Sequence, residues 1–328
     1  MRYLLWLVGV PVVVVMIVGA SLERDLRFET EPRLTVAYSS AQARYLGLDP
    51  NRVLGAIVTD LHPEHFRFQA NWNEIEPQPG EFDFLELDSF IAAARGIGAT
   101  VTLAVGRKLP RWPECHDPDW LMGLSLTEIE ERHFAMVRTV VERYRSEPVV
   151  VRWQVENEPL FAYGACLAPN QHRLVREVAL VRALDPTRPI LLTDSGELGS
   201  WWETARLTDE QGTTLYRVTW NPLLRYFSYP WPPYYYRFKA ALISPFVQQT
   251  VVSELQMEPW APLGTKALEL AEAQRSFSLE RFHENLDFFR GTGLPEAMLW
   301  GVEWWYYARE TLGEPGYWEA ARVEFGRE

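Results

Sequence analysis

Val149-Val150-Val151-Arg152-Trp153-Gln154-Val155-Glu156 reads as a buried strand, dense in β-branched residues, and it delivers the tripeptide Asn157-Glu158-Pro159. A second such run, Thr250-Val251-Val252-Ser253, ends on Glu254. Working outward from these two, apolar runs begin near Leu34, His65, Thr100, Val149, Ile190, Leu215, Thr250 and Ala297. Helical spacing fills the gaps at Phe84 to Ile97, Leu126 to Tyr144, His172 to Leu184 and Phe277 to Arg290. That alternation predicts an α/β fold, a (β/α)8 TIM barrel, as a single domain over residues 33–328. Such barrels hold their sites at the C-terminal ends of the strands, and Glu158 and Glu254 both stand at strand exits.

Two carboxylates so placed point to glycosidic bond cleavage, which needs one carboxyl that stays protonated and one that stays ionised. Trp153-Gln154-Val155-Glu156-Asn157-Glu158-Pro159 resembles the strand-four motif of the retaining (β/α)8 glycoside hydrolases, the clan of family 5 cellulases and mannanases and family 10 xylanases. Ser253-Glu254-Leu255-Gln256 is similar to their strand-seven motif, Arg67 to Phe84 to their second strand and loop, and Trp300-Gly301 to their eighth strand. The resemblance implies a retaining β-glycosidase with Glu158 as acid/base and Glu254 as nucleophile, about 5 Å apart. It further implies that Arg67 keeps Glu254 ionised, that Asn157 bonds the sugar 2-hydroxyl, and that no metal or organic cofactor is needed. The chain departs from the pattern in two places. Leu103 to Pro110 lacks the histidines of family 10, and Val218-Thr219-Trp220 stands where family 5 has His-x-Tyr on the sixth strand. Tyr216 then falls below that strand's exit, leaving the tyrosine that touches the nucleophile unassigned. A catalytically silent glycan-binding barrel and a transglycosylase are the alternative readings.

Other residues are placed by position. Arg67, Gln69 and Asn71 share one parity of the second strand and are expected to face the barrel interior, which makes Arg67 and Asn71 substrate-binding candidates. Trp220 and Trp300, at strand exits, are candidate sugar platforms, whereas Trp72 and Trp112 read as core or loop packing. Glu156 is expected inside the barrel below the site, Glu258 competes with Glu254 as nucleophile, and Glu76 fixes its loop. Asp194 and Glu197 read equally as substrate contacts and as helix caps. The aromatic stretch Asn221 to Phe246 is open to three readings: a cleft wall, a membrane-facing loop, or a packed loop.

Composition narrows the class. A net charge of −12 argues against a basic surface for nucleic acid or anionic lipid, so the expected partner is a carbohydrate. The 14 Trp and 14 Tyr supply flat faces suited to pyranose rings, although core packing accounts for more than half of them. Tyr3 to Ala20 is almost wholly apolar and reads as a signal anchor or signal peptide within residues 1–22. It implies an extracytoplasmic domain, held at the membrane if uncleaved or secreted if cut near Ala20. In such a compartment Cys115 and Cys166, in loops at the same barrel end, are disulfide candidates. These two cysteines alone make no metal site. Oligomeric state is not legible.

Overall fold

The computed structural model describes residues 31–262, 264–266 and 268–326. The apolar segment at 1–22 lies outside them, and no helix among the described residues is long and apolar enough to cross a membrane. The strands are β1 (Arg33–Ala37), β2 (His65–Gln69), β3 (Thr100–Val105), β4 (Val150–Val155), β5 (Ile190–Asp194), β6 (Glu210–Leu215), β7 (Val218–Asn221), β8 (Arg225–Ser228), β9 (Gln249–Gln256) and β10 (Glu296–Trp300). Eight of them close into a parallel barrel, β1 through β6, then β9 and β10, which returns to β1. β7 and β8 form a separate antiparallel hairpin. The helices Leu85–Gly96, Leu126–Tyr144, Gln171–Leu184 and Leu279–Thr292 lie within two residues of the expected spans. Three of them start at side-chain caps: a capping box of Ser125 with Glu128, then Asn170, then Ser278.

Strand alternation sorts the core into two media. Phe66, Phe68, Val101, Leu103, Trp153 and Leu299 face outward and join the large apolar cluster beneath the helices. The opposite parity fills the barrel, and there it is mostly polar. At the strand starts, Arg152 pairs with Glu210 and Glu296 at 2.8 Å each, while the His65 ring bridges Thr100 and Thr102 at 2.6 and 2.8 Å. Ala37, Leu191, Val251 and Met298 form a small apolar layer. Above it lies the polar layer that carries the candidate site. Because Arg152, Glu210, Glu296, Arg67 and Glu254 are paired in these layers, they avoid the several kcal/mol that an isolated buried ion costs.

The sixth strand departs from the sequence reading. Leu215 ends β6 instead of opening a strand, because Glu210-Gln211-Gly212-Thr213-Thr214 is polar yet wholly buried. Its polar groups are satisfied locally: Gln211 Nε2 donates to the Gly212 carbonyl at 2.7 Å and Thr204 Oγ1 donates to Gln211 at 2.8 Å. Such a strand has no apolar signature. Val218-Thr219-Trp220, taken as strand six, is instead β7, so Trp220 sits on the hairpin and not at a barrel exit. The aromatic stretch that follows forms this hairpin and the helix Pro233–Ile243, which packs on Leu279–Thr292.

The lower ion network carries a pH dependence. Burial alone would raise the Glu296 carboxyl, but Arg152 and Arg33 outweigh it and hold it down at about 2. Its unfolded value is about 4.3, so the stabilisation is complete above that pH and is lost as pH falls toward 2. Urea unfolding midpoints measured between pH 6 and pH 2.5 will therefore fall more steeply for the wild type than for Glu296→Gln. Equal slopes would show that Glu296 does not drive the loss.

Candidate active site

Arg67 stands in the middle of the upper layer, its side chain 2% exposed. Its Nε donates to Gln154 Oε1 at 2.7 Å, one terminal nitrogen to the Ser253 carbonyl at 2.9 Å and Glu254 Oε1 at 3.3 Å, and the other to Asn157 Oδ1 at 3.0 Å. A single guanidinium from β2 thereby joins the ends of β4 and β9. Glu254 is also held from a second side, since the Tyr216 hydroxyl donates to its Oε2 at 2.7 Å. Tyr216 is the first residue after β6, so the residue expected below the strand exit is the one that touches Glu254. The earlier end of β6 accounts for that correction.

Glu197 fixes the tyrosine. It accepts from the Tyr216 backbone N–H at 2.8 Å, the Tyr236 hydroxyl at 2.8 Å and Thr214 Oγ1 at 3.0 Å. Asp194 accepts from the backbone of Ser195 and Trp201 at 2.8 and 2.9 Å, so both acids order the loop after β5.

β4 ends in two left-handed residues, Glu156 at φ 59° and Glu158 at φ 42°. This backbone sends three successive side chains in different directions. Glu156 does not point into the barrel as expected. Its oxygens accept from the Arg107 and Lys108 backbone N–H groups at 3.2 and 2.5 Å, and it faces His133 and Glu177 of the helical layer. Gly106 permits this approach, since a Cβ there would lie 2.9 Å from the Glu156 carboxyl carbon. Asn157 turns inward. With Oδ1 held by Arg67 and, at 3.2 Å, by Thr193, its amide nitrogen is left as the donor end, with the Glu114 carboxyl as its neighbour.

Glu158 is 8% exposed, and its backbone is tied by Thr193 at 2.7 Å and by Lys108 Nζ at 2.9 Å. Burial raises its carboxyl well above the ordinary range, and the Glu254 and Glu114 carboxylates raise it further. Glu114 was not singled out from the sequence. It is buried, 3.7 Å from Lys108, and burial pushes its carboxyl up to about 8 against that lysine. No local motif marks it, because a left-handed turn after the third strand brings it in.

A second cation closes the other side. Arg111 binds Glu258 and Glu303, the latter at 2.7 Å, with its guanidinium 3.8 Å above the Trp300 ring. Glu258 is thus paired with Arg111, although burial still lifts it to about 7. Trp300 is at the site but has one face covered by Arg111. Aromatic rings lead outward from Glu254: Tyr216 to Trp260 at 5.2 Å, Trp260 to Tyr163 at 6.3 Å, and Tyr163 to the exposed Trp112 at 6.3 Å. Trp72 is core, and Glu76 holds its own loop through Gly80 N at 2.7 Å and Trp72 Nε1 at 2.8 Å. Asn71 donates to Glu74 at 3.1 Å and lines a hollow with Arg44 and Glu86. Cys115 and Cys166 form a disulfide that ties the loop after β3 to the loop after β4.

The hub predicts a large stability effect. Arg67→Ala leaves the buried Glu254 carboxylate without its cation and removes a donor from Gln154, Asn157 and the Ser253 carbonyl, and should cost about 3–5 kcal/mol in urea unfolding. Arg67→Lys should recover only part of it, because an ammonium cannot reach all four groups. A loss under about 1 kcal/mol for Arg67→Ala would show that the barrel does not depend on this contact.

Residues 64–179 match the family model Glyco_hydro_42, beta-galactosidase. Beta-galactosidase bgaB of Geobacillus kaustophilus is 28% identical over 117 residues, and a beta-galactosidase of an Arthrobacter species is 30% identical over 105. These alignments cover 30% and 27% of this chain but 17% and 15% of those proteins, so the chain spans less than a fifth of either relative. Among solved structures, a family 10 endo-β-1,4-xylanase of Gloeophyllum trabeum superposes with a TM-score of 0.56 at 14% identity, covering 84% of this chain and 87% of that one. A GH5_18 protein of Streptomyces cattleya gives 0.58 at 13% identity, covering 82% and 70%. In sequence over β2 to β4 and in fold around the whole barrel, the chain resembles the (β/α)8 glycoside hydrolases, its likenesses divided among families 42, 10 and 5.

Proposed function

We propose that this protein is a retaining glycoside hydrolase acting on a β-linked oligo- or polysaccharide. The observation that carries the reading is the opposite treatment of two carboxyls, one after β4 and one near the end of β9, at the same end of the barrel. Glu254 receives hydrogen bonds from Arg67 and Tyr216, whereas burial and its acidic neighbours favour the protonated form of Glu158. In the first step Glu254 attacks the anomeric carbon as Glu158 gives its proton to the departing oxygen. In the second, Glu158 takes a proton from water, which attacks the same carbon and releases Glu254. Asn157 presents its amide to the sugar, and the Arg111–Glu258 pair offers a donor and an acceptor to ring hydroxyls beside Trp300. Transglycosylation uses the same residues when a sugar replaces water.

The matched beta-galactosidases direct the first assays to β-galactosides, beside β-glucans, xylans and mannans. Export by the segment within residues 1–22 is part of the proposal, and the Cys115–Cys166 disulfide suits an oxidising compartment.

With a substrate in hand, Glu158→Gln should lower kcat by about a hundredfold or more. Glu254→Gly should abolish turnover, and azide should restore it with an inverted glycosyl azide product. Proton NMR of the fresh wild-type product should show the substrate's anomeric configuration, and an inverted sugar would overturn the double displacement. Loss of the Tyr216 hydrogen bond in Tyr216→Phe should cost about tenfold or more in kcat. A folded protein that binds glycans from the panel but cleaves none would favour the silent binding barrel.

A further inference from the structure

Behind the strand that delivers Glu158, and outside the candidate active site, three buried side chains converge. His133 comes from the helix Leu126–Tyr144, Glu177 from Gln171–Leu184, and Glu156 from the end of β4. Their donor atoms all lie within 4.8 Å of one another, and each residue is at most 3% exposed. His133 Nε2 is 3.3 Å from Glu177 Oε1 and 3.8 Å from Glu156 Oε1. Neither ring nitrogen of His133 and neither oxygen of Glu177 has a hydrogen-bond partner among the described residues. The imidazole thus lies close to both carboxyls without a well-aimed hydrogen bond to either.

Polar groups buried this deeply are normally paired, yet His133 and Glu177 keep open hydrogen-bonding positions. Arg107, on the adjoining loop, is already engaged by Asp117 at 2.7 Å. Ligands bonded at about 2.0–2.2 Å to one tetrahedral ion stand about 3.3–3.5 Å apart, close to the separations seen here. The second oxygen of Glu156 is fixed by the Lys108 backbone N–H, the kind of outer contact that orients a ligating carboxylate. The Trp72 ring, 5.6 Å away, packs against the imidazole. A cavity of about 160 Å³ reaches Glu156 and Glu177 from beneath the disulfide, giving a path for an ion and room for a water as fourth ligand.

We propose that His133, Glu156 and Glu177 bind one divalent transition-metal ion of the zinc class. One nitrogen and two carboxylate oxygens suit such an ion better than calcium, which takes six or more oxygens. The ion neutralises both carboxylates. It also clamps two helices to Glu156, two residues before Glu158, and so braces the left-handed turn that presents the acid. Its role is structural and does not depend on the carbohydrate reading.

The test uses the full chain, stripped with a chelator, incubated with zinc chloride and passed through a desalting column. Elemental analysis should find about one zinc per chain, and zinc should raise the melting temperature. Both effects should be lost in Glu177→Gln and His133→Gln, with zinc affinity falling by about a hundredfold or more. If these variants fail to fold, wild-type protein loaded with copper(II) and read by pulsed electron paramagnetic resonance should show coupling to one imidazole. Wild-type protein that retains no zinc, zinc retained equally by folded variants, or a copper signal without imidazole coupling would overturn the site and leave a shared proton between the two carboxyls.

Discussion

The upper half of this barrel depends on one buried guanidinium. Arg67 is the only cation bonded to Glu254 among the described residues, and the same group orients Asn157 and caps the Ser253 carbonyl. An arginine suits this place because its planar fork addresses several acceptors at fixed angles. A buried charge would be prohibitive if any partner were missing, so strands β2, β4 and β9 are constrained to one relative position. The geometry of the candidate site follows from satisfying that cation.

Around this hub the fold sets carboxyls with different partners side by side. Glu254 has Arg67 and Tyr216, Glu258 and Glu303 share Arg111, Glu114 has Lys108, and Glu197 is surrounded by neutral donors. Glu158 has only backbone ties and acidic neighbours, so burial and those neighbours favour its protonated form. The ordering arises from the position of each cation, since burial affects all of these acids in the same direction. The left-handed residues at 156 and 158 permit it by splitting three consecutive side chains among the helical layer, the barrel axis and the cleft.

Much of the fold was legible because it rests on periodicity. Seven barrel strands and four of the long helices follow from apolar spacing, which reflects an outward face that must be covered. β6 escaped for the converse reason: its residues Glu210 to Thr214 satisfy one another inside the barrel and need no apolar face. That single displacement misplaced Trp220 and hid Tyr216. Glu114 and Arg111 were illegible on another ground, since both lie on a loop with left-handed turns whose path no local pattern specifies.

The sequence by itself determined the architecture and the two strand ends that carry Glu158 and Glu254, because both are consequences of local alternation and strand polarity. Tertiary structure alone decided how the acids differ, which tyrosine meets Glu254, why Trp300 is covered by Arg111, and where Glu156 points. Those outcomes depend on distances between charges far apart in the chain, and a buried charge is governed by its neighbours in space.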